Sequence, residues 1–390
     1  MKRRMVGLGA ALAVVLAAAG CGSMSMTASS PRRIVIGADL SLSGPQSDVG
    51  AVLRDALKLE ASRLNKRHAI PGAQIVLSVR DNRSDPVTSA DNIKQFQRDS
   101  DLAAAVTGPC DDCLARTAPL IHAGQLPVVS LSAANLPAGT AGSGSPLFKL
   151  APNAADDAAT LVELLVARHV KHAAVIADND AYDTAAVAAL QRAASVRGVE
   201  LDAPVSSAGS VSDLARQALS GGDDGQFTDT TPDAVVVASQ ADRASAVVAA
   251  LRKEKYPKTV VLGAVAAGPL FLPDRRLSGC YLVFPPILAM DDQVASTPEK
   301  AAQKQWFDDY STAYGQYSAM SGFAADAMQA LATAIGTVGT DQTKLAGAIE
   351  TTQFDGMSGP VRYTPDDHSG LTPQGLEVLQ ADFSRWHLAG

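Results

Sequence analysis

The chain is poor in the residues from which most active sites and nucleic-acid interfaces are built. Aromatic residues make up 5% of 390 positions, histidine occurs six times and cysteine four times. The histidines are scattered. Only His169 and His172 fall within one helical turn of each other, beside Lys171, where a solvated helix end is the plain expectation. His122 alone cannot supply a four-ligand zinc set. No Gly-x-Ser-x-Gly, phosphate-binding loop or His-Glu-x-x-His occurs. Nothing therefore assembles a nucleophile, a base and an oxyanion site, so there is no positive case for an enzyme and no cofactor or metal is implied. Basic runs and aromatic-basic interleaving are missing as well, and the formal net charge is −7, which argues against nucleic acid.

What the chain does have is apolar residues, 47% of the total, and enough length for two lobes. It opens with Lys2-Arg3-Arg4, a short apolar run Met5–Gly20 and the sequence Ala-Ala-Ala-Gly-Cys21. Such a run is marginal for a membrane span, which needs about 20 residues, and reads as an export signal. Its Ala-Gly-Cys21 ending resembles a bacterial lipoprotein box, and the resemblance implies removal of residues 1–20. Without the three leader cations the charge of −7 becomes −10. Residues 21–32 are a Ser-rich tether without periodicity.

From residue 33 the pattern is strand, helix, strand, repeated. Arg33–Leu40 is an apolar strand ending in the polar turn Ser41–Pro45, and Asp48–Asn65 carries an amphipathic stripe. Gln74–Arg80 is the next strand, and Asp85-Pro86 opens a helix. The stretch 102–136 matters most. Leu102–Val106 is a strand apolar on both faces, Gly108-Pro109 breaks it, Asp111 or Asp112 can cap a helix over Cys113–Ala123, and Pro127–Ser130 is a further strand. In an open parallel sheet, ligands lie beyond the carboxyl ends of the strands. The turns at 108–113 and 130–135 occupy that edge and are expected to line a site. A second alternation fills 153–262, with strands at Ala173–Ala177, Val199–Val205, Ala234–Ala238 and Thr259–Leu262. Tyr281–Pro286 reads as a connecting strand. Long helices follow at Pro298–Tyr314, Ala319–Val338 and Gln342–Glu350, then a turn-rich strand at 354–363 and a last strand near Leu376–Gln380. The fold class is α/β with parallel sheets and right-handed crossovers.

Cys110-Asp-Asp-Cys113 at a strand-to-helix turn has a sharp reading as a redox pair, since a helix N-terminus lowers a thiol pKa. Two acids between the cysteines oppose the thiolate, so a structural disulfide or simple free thiols is the better reading. Cys280 is either the odd thiol or a partner of one of them. The acidic pairs Asp156-Asp157, Asp223-Asp224, Asp291-Asp292, Asp308-Asp309 and Asp366-Asp367 look like caps and exposed loops.

Taken in order, the Ala-Gly-Cys21 box, Ile34–Gly44, Gly108-Pro109, Pro127–Asn135, Ala173–Tyr182, Trp306–Gly315 and Phe354–Pro360 resemble the branched-chain-amino-acid-type (type I periplasmic) solute-binding proteins of ABC importers. The resemblance covers about 33–382. It implies two Rossmann-like doubly wound lobes joined by three crossings, lobe 1 being 33–151 plus 285–351 and lobe 2 being 152–284 plus 352–390. It also implies lipidation of Cys21, anchoring at the outer face of the cytoplasmic membrane, a permease partner, a monomer and hinge closure over a small polar ligand. Site residues carried over are Ser43 and Gln46 in the first turn, Asp111, Asp112 and Cys113 after Gly-Pro, and Ser132, Ala133 and Ala134 after the next strand. Tyr182, Gln240 and Val265 follow from the second lobe. Ala134 lacks a hydroxyl and Val265 cannot neutralise an ammonium, while Asp111 and Asp112 would repel a carboxylate. The ligand is therefore expected not to be a simple α-amino acid, or to be one held in another orientation. A sensory binding protein and a thiol-disulfide protein are the rival expectations.

Overall fold

In the computed structural model, residues 30–178, 181–206, 210–220, 231–239, 241–264, 274–383 and 385–389 are described. The described strands and helices all lie in the compact unit Arg32–Gly390. That unit's first section runs β1 (Arg32–Leu40), α1 (Ser47–Lys66), β2 (Ala73–Asp81), α2 (Pro86–Arg98), β3 (Leu102–Thr107), α3 (Asp111–His122), β4 (Val128–Ser130) and β5 (Leu147–Lys149). These five strands form one sheet in the order β2-β1-β3-β4-β5, every pairing parallel. All six residues of β3 are buried, as a central strand covered by helices on both faces must be.

The second section runs α4 (Ala154–Ala167), β6 (His172–Ala177), α5 (Ala181–Arg197), β7 (Glu200–Leu201), α6 (Val211–Leu219), β8 (Ala234–Ala238), α7 (Ala241–Lys253), β9 (Thr259–Leu262) and β10 (Tyr281–Phe284). After it come α8 (Pro298–Tyr314), α9 (Met320–Val338), α10 (Gln342–Ile349), the hairpin β11 (Gln353–Asp355) and β12 (Pro360–Arg362), then β13 (Glu377–Asp382) and β14 (Arg385–Leu388). The second sheet has the order β14-β13-β10-β9-β8-β6-β7. Two expectations need correction. Tyr281–Phe284 is an integral strand, parallel to β9 and antiparallel to β13, rather than a connector. The strand expected at 199–205 shrinks to Glu200-Leu201, with Val205 adding only a bridge to Ile176.

Helix α9 shows why the last third returns to the first sheet. Thirteen of its 19 residues are buried, among them Phe323, Leu331 and Ile335, so little of the helix is left for water. Each of those large side chains contributes about 1.5–3 kcal/mol on burial. The helix packs against α1 and α10. Helix α8 joins α1 too: Arg63 Nη1 lies 2.6 Å from Asp309 Oδ2, and Tyr314 donates to Asp55 O at 3.0 Å. Inside α1, Gly50 passes so close to the turn after β1 that a Cβ there would sit 1.9 Å from Ser41 O.

The chain's return from α10 is also fixed to the first sheet. Lys149 N donates to His368 O at 2.9 Å, Gly370 N donates to Lys149 O at 2.9 Å, and Tyr363 donates to Lys149 O at 3.2 Å. His368 Nδ1 donates to Leu147 O at 2.8 Å, and its ring stacks on Phe148 with centroids 4.2 Å apart. Residues 363–370, expected with the second lobe, are thus bonded to β5. The backbone of this crossing runs along the free side of the edge strand β5, where Ser369 bridges Lys149.

Candidate functional site

Because the first sheet is parallel, the turns after β1, β3 and β4 emerge on one edge. The turn after β1 is bound to the turn after β2. Ser43 Oγ donates to Asp81 Oδ2 at 2.7 Å, Ser43 N and Leu42 N donate to Asp81 Oδ1, and Gln46 N donates to Ser84 Oγ at 3.1 Å. Asp81's carboxyl is held below the ordinary range, burial opposing that and the Ser43 hydroxyl and backbone amides producing it. Below the turn, Asp39 is fully buried and accepts from Asn82, Ser89 and Asn92; burial raises its pKa against those bonds. Ser43 and Gln46 therefore serve a rigid edge whose polar groups are already matched.

After β3, Cys110 and Cys113 are joined by a disulfide with Cα atoms 5.1 Å apart. Cys110, not either aspartate, is the helix cap: its Sγ accepts from Cys113 N at 3.2 Å. This corrects the expected cap and leaves Asp111 and Asp112 in the first turn of α3, where the helix dipole favours acids. Asp112 is exposed and Asp111 half-buried. The Asp111 carboxylate turns onto the loop after β4, where it accepts from the Ser132 hydroxyl at 2.5 Å and from Ala134 N at 3.2 Å. Ser130 Oγ in turn accepts from Ser132 N at 3.2 Å. The structure thus brings Asp111, Ser132 and Ala134 together, and the donors of that loop are given to a carboxylate of the chain itself.

The carbonyl of Ala133 is taken as well, by a residue that sequence reasoning did not single out. Lys149, fully buried at the end of β5, donates to Ala133 O at 3.1 Å, Pro152 O at 3.0 Å and Asn153 Oδ1 at 3.0 Å. Three donors meet three acceptors, so the ammonium is saturated. Burial pushes its pKa down to about 8, and the charges of Asp157, Asp111, Asp156 and Asp367 oppose the shift. A lone lysine inside the apolar run Pro146-Leu-Phe-Lys-Leu150 was the available signal.

Helix α4 begins the second section beside this lysine. Asn153 Nδ2 donates to Asp156 Oδ2 at 3.2 Å. Asp157, expected among exposed caps, has both carboxylate oxygens buried without a hydrogen bond, although the residue as a whole is half-buried. Burial pushes its carboxyl up to about 8; Lys149 pulls it down and Asp156 adds to the rise. Asp157 and Asp183 are among the residues around a small, mainly apolar cavity of about 40 Å³ at the carboxyl ends of β8 and β9, walled by α4 and α5. Nearby, Arg243 Nε lies 2.6 Å from Asp178 Oδ1 at the end of β6. Tyr182 stands at the start of α5, but its side chain is outside the described residues, as are Gln240, Val265 and Cys21. Among the described residues no group of three or more His, Cys, Asp or Glu could hold a metal ion. No described helix is long and apolar enough to cross a membrane.

Two α/β lobes, the first sheet parallel throughout and the second parallel except at β13 and β14, with polar turns gathered at the strands' carboxyl ends, form an architecture suited to holding a small ligand. The chain belongs to the periplasmic binding protein family, whose model matches residues 33–384. Solved structures of the same fold include an extracellular ligand-binding receptor from Rhodopseudomonas palustris HaA2, 19% identical with a TM-score of 0.75 over 91% of this chain and 99% of that one. A leucine-binding protein from Thermotoga maritima is 16% identical, with a TM-score of 0.73 over 92% and 98% of the two chains. An ABC transporter substrate-binding protein from Desulfitobacterium hafniense is 15% identical, with a TM-score of 0.75 over 92% and 100%. At these identities the likeness is one of fold. No curated protein sequence matches the chain.

Proposed function

We propose that this is an extracytoplasmic solute-binding lipoprotein that captures a small polar molecule between its lobes and delivers it to an ABC importer. Cys21 carries the lipid, residues 22–32 are the tether, and binding with lobe closure makes and breaks no bond. The lobes are 33–151 with 285–351, and 152–284 with 352–390, the bonded return at 363–370 acting as part of the hinge. The observation that carries the reading is the family match across 33–384, joined to a first-sheet edge whose turns are rigidly prearranged. The buried disulfide supports a structural role for the cysteine pair, since Cys110 and Cys113 are 6% and 4% exposed and offer little to an incoming thiol.

The test is native mass spectrometry of the full chain as purified, followed by calorimetry against small polar solutes. A stoichiometric small molecule that shifts the melting temperature supports capture. A chain that binds no solute across amines, amino acids, acids, polyols and amides would overturn it. Anchoring is tested separately: Cys21→Ala is expected to move the protein from the membrane to the soluble fraction.

A further inference from the structure

We propose that the corner where β1 begins is a docking surface for an anionic phospholipid bilayer, and that it stands the chain on the membrane with the ligand-receiving edge turned outward. The inference rests on the lipoprotein reading of Cys21 and adds an orientation to it. The first observation is a cluster of cations drawn from two segments. Arg32 and Arg33 open β1, while Lys66 ends α1 and Arg67 follows it. All four are exposed. The backbone brings the two segments to one corner. Arg32 N donates to Gly72 O at 2.9 Å, and Arg32 pairs with Ala73 at the start of β2, one short turn after α1.

Counter-charges are few at this corner. Among the described residues Arg32, Arg33 and Lys66 make no ion pair, and Arg67 shares the buried Glu60 with Arg63. Asp99 and Asp101 are exposed just before β3, but β3 begins opposite Val35. The corner of β1 and β2 therefore projects about 10 Å past them, at about 3.3 Å per residue. Cations in the last turn of a helix suit its dipole, which accounts for Lys66 and Arg67. It does not account for Arg32 and Arg33 at the start of a strand. Composition does not account for them either, since the chain from Cys21 onward carries a net charge of −10.

The second observation is the place of this corner in the chain. Cys21 precedes Arg32 by eleven residues, a reach of at most about 40 Å. A lipid on Cys21 therefore keeps these cations within a short tether of the headgroups. Each Lys or Arg near an anionic surface favours the docked state about fivefold, so three favour it about a hundredfold. The attraction acts over a Debye length of about 8 Å at physiological salt. From this corner β1 runs nine residues, about 30 Å, to the turn at its carboxyl end. Docking at the amino edge thus points the turns after β1, β3 and β4 away from the bilayer. Solute is captured from the medium in that posture, and delivery to a permease requires the corner to let go.

The test uses the full lipidated chain in vesicles of phosphatidylcholine, alone or with about one-third phosphatidylglycerol. Energy transfer to a headgroup acceptor is read from a dye at Ala69→Cys in the corner or at Pro45→Cys in the turn after β1. Both positions are exposed, whereas Cys280 is buried. Phosphatidylglycerol is expected to at least double transfer from the corner dye at about 0.1 M salt and to leave the Pro45→Cys dye at least twofold lower. The gain is expected to vanish at about 0.5 M salt. Combining Arg32→Glu, Arg33→Glu and Lys66→Glu is expected to abolish it. Equal transfer in both vesicles, a gain indifferent to salt, or a gain that survives the triple change overturns the proposal. The salt dependence needs no charge-reversed chain and decides the matter if the triple variant does not fold. A lipidated chain blind to phosphatidylglycerol loses this inference while solute capture stands. A chain that mass spectrometry shows without lipid on Cys21 loses the anchor and this inference together.

Discussion

Asp326 offers a test of how the chain's return from the helical third is held. Its carboxylate is 1% exposed on α9 and accepts from Met357 N at 2.6 Å, Ser358 N at 2.7 Å and Ser358 Oγ at 2.5 Å. The intervening Gly356 leaves room for it: a Cβ there would lie 2.5 Å from the carboxylate. Asp326→Ala strands two backbone N–H groups at about 1–3 kcal/mol each, so a loss of roughly 4 kcal/mol is expected. An unfolding entropy of about 2.1 cal/mol/K per residue then implies a melting temperature lower by roughly 5 °C for a unit of this size. Asp326→Asn keeps one acceptor and is expected to lose about half as much. The pH dependence separates charge from shape. Burial raises the Asp326 pKa from 3.8 to about 6 against its three hydrogen bonds. In that window the folded chain binds more protons than the unfolded chain, so stability falls as pH rises and the loss is complete above about 6. The shift corresponds to about 3 kcal/mol, on the order of 1.4 kcal/mol per pKa unit. Urea titrations followed by circular dichroism at pH 4.5 and 7.5 should therefore show wild type exceeding Asp326→Asn by more at the lower pH. Parallel pH profiles for the two proteins, or an alanine variant within about 1 kcal/mol of wild type, would refute the argument.

Two further outcomes follow from the cysteines. The Cys110–Cys113 bridge closes a loop of sequence separation 3, and so short a loop is worth only about 2 kcal/mol through chain entropy, which reduction or a double serine variant should remove; an unchanged urea midpoint would show that the bridge only shapes the turn. Cys280 is buried, with its thiol pushed up to about 11, so peptide mapping after alkylation at pH 8 should find it modified only in denatured protein; rapid labelling of the native chain would contradict the packing.

The fold was largely legible because its signals are local. Continuous apolar runs such as Leu102–Val106 and Ala234–Ala238 became central parallel strands, and the helix at Pro298–Tyr314 begins and ends where its proline and following glycine direct. Misreadings arose where the deciding partner is distant in sequence. Tyr281–Phe284 looks like a connector because the strand that closes on it, β13, lies nearly a hundred residues later. The site followed the same rule. Gly108-Pro109 and Ser130–Asn135 could be placed on one edge from strand order alone. That Asp111 serves Ser132 and Ala134, rather than capping its own helix, depends on the rotation of α3 over β4, which no local pattern encodes. Lys149 and Asp157 were hidden for the same reason: a lysine in a strand and an acid in a first helical turn each have an ordinary solvent-facing reading until the fold buries them.

These misread acids bear on selectivity more than the motifs that were easy to see. A loop that offers a hydroxyl and an amide is a general receptor for carboxylates, and the cost of keeping such donors buried and empty is a reason for any chain to fill them. Here Asp111 fills them from within, at a position fixed by the disulfide turn that precedes it. Lys149 does the same for the carbonyl of Ala133. The polar groups of the first-sheet edge are thereby matched from within the chain. Replacing Asp111 with serine would release the Ser132 and Ala134 donors and remove one repelling charge. Under the solute-binding reading that single change should strengthen leucine binding measured by calorimetry, and an affinity unchanged from wild type would contradict it.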